Sequence, residues 1–209
     1  MISLLFAVAG WFVGLLSAWL TDHLHETQRE NNRRWLIRDP MVQAALAVVW
    51  GLTPLLIVGD WTRWLAVAVL AVPLVQVAVT DLRHRYVYTF VAVIGFVLGV
   101  GLGWLAHGGE WWISLIGAAG GFMSFAAVYG VGRLLYRGTE PLARGDVTIA
   151  GMVGSIAGGC TIAALLVGVV LSGMLALGFL VWRRSRYAFL PYGPGLCVGG
   201  LITLLGFVC

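Results

Sequence analysis

Lysine is absent from this 209-residue chain, and charged residues of every kind make up only 11% of it. A soluble globular domain carries about 25%, so most of the chain cannot present an ordinary water-facing surface. Cysteine is scarce as well. Cys160, Cys197 and Cys209 stand apart in apolar sequence with no CxxC pair, which excludes a thiolate zinc module and leaves three buried free thiols as the expectation. Long polar sequence is nearly missing; its one extended stretch is residues 21–41. No internal repeat and no separate soluble domain interrupts the rest, so residues 1–209 read as one membrane-embedded domain.

What is present is apolar. Hydrophobic residues make up 60%, and there are 29 glycines and 10 tryptophans. Small residues let membrane helices approach, and tryptophan collects at bilayer interfaces. Runs of the ~20 apolar residues that cross a hydrocarbon core fall near 1–20, 42–58, 63–80, 87–106, 112–132, 146–159, 161–182 and 191–209. The expected architecture is therefore an all-α polytopic membrane protein of about eight transmembrane helices. Gly158 and Gly159 are the natural break between a short sixth span and the seventh.

All 13 basic residues are arginines, and the net charge of +4 is not a nucleic-acid signal because they lie in short clusters between apolar runs. Arg29, Arg33, Arg34 and Arg38 follow the first span, Arg83 and Arg85 the third. Arg133, Arg137 and Arg144 follow the fifth, and Arg183, Arg184 and Arg186 the seventh. Only Arg63 lies on the other side. The positive-inside rule makes those four loops cytoplasmic and places both the N-terminus and the C-terminus outside. The first apolar run has no basic residues before it, so it reads as a retained helix rather than a signal peptide. Trp104, Trp111 and Trp112 then mark the outer interface.

Seven of the nine acidic residues lie in polar loops. Asp81 and Asp146 do not. Asp81 ends the apolar run LAVAVLAVPLVQVAVT, and Asp146 opens the sixth span within ARGDVTIAGMVGSIAGG. Ionisable groups at membrane depth are functional candidates by default, and the arginine topology puts both at the cytoplasmic face. If their helices are neighbours, two carboxylates that cannot both ionise cheaply would share one proton, the arrangement by which aspartic proteases activate water. Asp146, near a helix N-terminus, is the better-stabilised anion of the two. Gly145 beside it suits a close backbone approach or an unusual dihedral, and a valine there is expected to displace Asp146. Position alone equally allows Asp81 to be an interfacial charge paired with Arg83 or Arg85, and Asp146 to be an ordinary first-turn acid.

Three segments together resemble the bacterial type IV prepilin peptidases, members of the GxGD-type intramembrane aspartyl proteases. Asp81-Leu82-Arg83-His84-Arg85 is similar to the family's D-L-x-x-R. Ala143-Arg144-Gly145-Asp146 is similar to GxGD, with Gly154 and Gly158 recurring as in the family's GDxKLxAxLGxxLG. Pro191-Tyr192-Gly193-Pro194 is similar to its PFGP. The resemblance implies a bacterial inner-membrane aspartic endopeptidase that cuts prepilin or pseudopilin leaders at the cytoplasmic face. Asp81 and Asp146 would be catalytic, with Ala143, Gly145, Pro191, Gly193 and Pro194 shaping the site.

The implied partners are the prepilin signal helix and membrane lipid, with no nucleic acid and a homodimer left open. The chain departs from the pattern at Ala143, at Thr148 in place of Lys, and at Tyr88 in place of Pro. The segment 21–41 also lacks the two CxxC pairs of larger members; His23 and His25 with nearby carboxylates make a poor zinc set. No metal and no cofactor are therefore expected, while methylation dependent on S-adenosylmethionine stays unsupported. Two other readings compete with the peptidase. An inactive relative serving as a scaffold is motivated by the altered positions but opposed by the two retained aspartates. A proton-coupled transporter is opposed by acids at one face and by the lack of an inverted repeat.

Overall fold

The structure is a computed structural model, and it describes residues 2–26, 40–57, 61–84, 87–107, 109–135, 143–183 and 192–206. Among these there are eight α-helices and no strand. They are α1 (Ile2–Glu26), α2 (Pro40–Leu56), α3 (Trp61–His84), α4 (Thr89–His107), α5 (Trp111–Leu135), α6 (Arg144–Ala157), α7 (Thr161–Arg183) and α8 (Gly193–Leu204). A 3-10 turn, Gly158–Cys160, joins α6 to α7.

Five stretches are long and apolar enough to cross a membrane: Ile2–Thr21, Trp61–Arg83, Thr89–Ala106, Trp111–Leu135 and Arg144–Gly178. The last contains the α6–α7 break, while α2 and α8 are shorter apolar helices. This is a polytopic membrane protein. The expected break at Gly158 is real: its φ of 55° lies in the left-handed region, open to glycine at no steric cost. The apolar run ends at Thr21, close to the expected boundary, but the helix continues through the first polar residues to Glu26; residues 27–39 lie outside the described part.

α6 is the centre of the bundle. A helix facing lipid on one side keeps an exposed stripe, whereas Ile149 through Ala157 of α6 are all buried. α4, α5, α7 and α8 pack around it, and α3 packs on α4 and α8. Small residues make this possible. A Cβ on Gly154 would stand 2.2 Å from the carbonyl oxygen of Gly117 on α5, and one on Gly121 would stand 2.2 Å from that of Ala150. Backbone cannot swing aside as a side chain can. Gly154→Ala is expected to cost about 1–3 kcal/mol, typical of overpacking, and to lower the midpoint of thermal unfolding in detergent. An unchanged midpoint would show that α5 and α6 can separate freely.

One expectation is modified at the far end of α6. Cys160 is disulfide-bonded rather than a free thiol, while Cys197 is free and buried. Arg63, the one arginine outside the four clusters, donates from Nε to the Ala106 carbonyl at 2.8 Å. A cation at a helix C-terminus satisfies a carbonyl that has no partner within the helix, so this arginine has a local reason to depart from the pattern. Trp104, Trp111 and Trp112 are exposed near the same end, as an interfacial belt requires.

Candidate active site

Asp146 is placed by the start of α6. Ala143 is the N-cap, with extended φ −76° and ψ 146°. Its amide donates to Asp146 Oδ2 at 3.2 Å, while the Asp146 amide donates to the Ala143 carbonyl at 3.0 Å. An N3 carboxylate that turns back to the N-cap amide satisfies one of the orphan donors at a helix start. The motif therefore uses the backbone of residue 143, in a conformation open to any L-residue. That explains why Ala143 can stand where the family pattern has glycine.

Asp81 sits in the last turn of α3, where its own helix presents partial negative charge. The compensation comes from elsewhere: the Gly193 amide, at the start of α8, faces the carboxylate. Spacing along the chain gives a helix N-terminus to Asp146 alone, whereas the structure supplies a second one to Asp81. Contact there is very close. A Cβ on Gly193 would lie 2.3 Å from Asp81 Oδ2 and 2.9 Å from Ile149 Cδ1 of α6. Oδ2 itself is buried with no hydrogen-bond partner of acceptable geometry.

The two aspartates thus lie within electrostatic reach of each other although 65 positions separate them (146 minus 81). They are 6% and 5% exposed, and the charge of Asp81 reaches Asp146. Helix α8 bridges the two, since it packs on both α3 and α6. Pro194, buried in its first turn, has a fixed φ suited to a helix start. One turn further on, Cys197 is fully buried and close enough to feel both carboxylates. It is the buried free thiol expected of it; its spacing of four from Gly193 is the signal that it shares that helix face.

Other expected site features divide. Gly145 is helical, with no positive φ, and among the described residues a Cβ there would meet the Val87 side chain at an ordinary 3.5 Å. The close approach expected at Gly145 occurs instead at Gly193. Pro191 and Arg85 lie outside the described residues. Arg83 directs Nε to Met41 Sδ, 2.9 Å away.

Tyr88, at the family's proline position, begins α4 by accepting the Val91 amide at 2.9 Å. Thr148 is half-buried, with its hydroxyl directed at the Arg144 carbonyl at 3.4 Å.

The model of the type IV leader peptidase family matches residues 68–181, more than half of the chain and the part that contains both aspartates. The chain belongs to this family. No curated protein and no solved structure matches it. Membership identifies a membrane peptidase and makes the buried carboxylates the natural candidates for its chemistry. Gly193 and Pro194, although at the site, lie beyond the matched segment.

No group of three or more His, Cys, Asp or Glu side chains able to hold a metal occurs among the described residues. His23 stacks on Trp19 with ring centroids 5.4 Å apart; the His25 side chain lies outside the described part. Elemental analysis of the purified leader peptidase is expected to find no zinc, and one equivalent per chain would overturn that expectation.

Proposed function

We propose that this leader peptidase is an aspartic endopeptidase that removes the leader from type IV prepilins or pseudopilins at the cytoplasmic membrane face. The observation that carries this reading is the pair Asp81 and Asp146, both buried and within electrostatic reach of each other, with an α-helix N-terminus directed at each. With one proton shared between them, the ionised carboxylate takes a proton from water as its oxygen attacks the scissile carbonyl. The protonated carboxyl hydrogen-bonds the carbonyl oxygen and stabilises the charge that develops on it. Collapse of the tetrahedral intermediate then breaks the C–N bond, and the amine leaves with a proton from the dyad. Every proton in this sequence is carried by the two carboxyl groups and the attacking water.

The arginine clusters support placing the aspartates at the cytoplasmic face of a bacterial inner membrane. They also support a topology in which all eight helices cross and residues 1 and 209 face outward. The disulfide-bonded Cys160 supports the same orientation. It lies 14 residues beyond Asp146 (160 minus 146), about 21 Å along a helix at 1.5 Å per residue, and disulfides persist on the oxidising side. A prepilin signal segment fits such a site because it is itself an apolar helix with a short basic leader at the level of the dyad. The deciding experiment is leader cleavage of a co-expressed prepilin by wild type, Asp81→Asn and Asp146→Asn. Cleavage by wild type alone supports the dyad; full activity in either variant sinks it, and a well-inserted but inactive wild type favours the scaffold.

A further inference from the structure

Pro73 lies inside α3, eight residues before Asp81. Proline has no N–H for the Val69 carbonyl, and its ring crowds that turn, so the helix is weakened there. The segment that carries Asp81 therefore cannot rely on continuous helix bonding to fix its direction. On one side it meets α8 at Gly193. On another it meets α1 through a polar clasp at membrane depth.

Gln76, 4% exposed, accepts from the Ser17 hydroxyl through Oε1 and donates from Nε2 to the Thr21 hydroxyl. Thr21, itself buried, donates onward to the Ser17 carbonyl at 2.9 Å. One turn above, the buried Thr80 hydroxyl donates to the Gln76 carbonyl at 2.8 Å, next to Asp81. A buried amide in an apolar bundle costs free energy unless both of its ends are paired. Both are paired here, and both partners belong to α1, which is otherwise largely exposed to lipid.

We propose that the Ser17–Gln76–Thr21 clasp is a positioning device that holds the post-proline end of α3 in register, so that Asp81 stays opposed to Asp146 against α8. Through it α1, which lies outside the matched family segment, contributes to turnover without touching substrate. The role in catalysis rests on the aspartic-peptidase reading; the mechanical role does not.

Two variants of the full chain test it in detergent micelles. Gln76→Leu removes both hydrogen bonds at similar volume, and Thr21→Val leaves the amide of Gln76 without its acceptor. Amide exchange over residues 77–83 should quicken at least about tenfold in both, an opening change of about 1.4 kcal/mol, while α5 and α6 keep wild-type protection. Prepilin cleavage should show kcat lowered about tenfold with KM within twofold, because the dyad geometry loosens while the substrate-binding surface stays. Thr21→Ser, which keeps the hydroxyl, should restore both readouts. Unchanged exchange in 77–83 overturns the proposal whatever the chain cleaves, and so does faster exchange spread evenly over the bundle. Inactive aspartate variants beside an unaltered Gln76→Leu kcat would leave the dyad standing and remove the clasp from catalysis.

Discussion

Asp146→Asn is expected to lower prepilin cleavage by about 10²–10⁴-fold, the usual contribution of a positioned acid or base, while membrane insertion and thermal stability stay near wild type. The separation of chemistry from folding follows from how the residue is held. An asparagine keeps a carbonyl oxygen for the Ala143 amide that now donates to Oδ2, so the start of α6 survives. What is lost is the exchangeable proton and the charge.

Asp81→Asn should behave alike, since its amide group can turn its oxygen toward the Gly193 amide. Insertion is read from protease protection of the loops, and cleavage from the mobility shift of the prepilin. A variant that cleaves at the wild-type rate would remove that aspartate from the mechanism. Loss of insertion would instead show that its role is to hold the bundle together.

The second large effect belongs to Gly193→Ala. Its methyl would lie 2.3 Å from Asp81 Oδ2 and 2.9 Å from Ile149 Cδ1, far inside van der Waals contact. Either α8 shifts outward or the Asp81 carboxylate swings away from Asp146; a displacement near 1 Å at reacting groups costs about 100-fold in rate. The bundle should still fold, because the methyl meets side-chain ends rather than backbone. Gly145→Ala is the control: among the described residues its methyl would meet the Val87 side chain at an ordinary 3.5 Å, so cleavage should remain within a few-fold of wild type. Equal losses in the two variants would mean that the first turn of α6, rather than α8, is the tight element.

The apolar runs, their arginine-marked loops and the Gly158 break determined by themselves an α-helical membrane bundle with boundaries close to those observed. Hydrophobic length and charge placement are local properties, which a bilayer reads directly. The two candidate acids were equally legible, because a carboxylate directly abutting an apolar run stands at a depth where charge is costly to keep. Only tertiary structure decided what surrounds them. α8 comes between α3 and α6, so the glycine in tight contact is Gly193 rather than Gly145, and Asp81 gains a helix N-terminus from 112 residues further along the chain (193 minus 81). Cys197 comes to lie within electrostatic reach of two carboxyl groups, Cys160 acquires a disulfide, and Gln76 its partners on α1. None of these follows from spacing along a helix, because each depends on which faces of separate helices meet. That choice is made by small residues such as Gly117, Gly121 and Gly154, whose bare backbones set how closely the helices can pack.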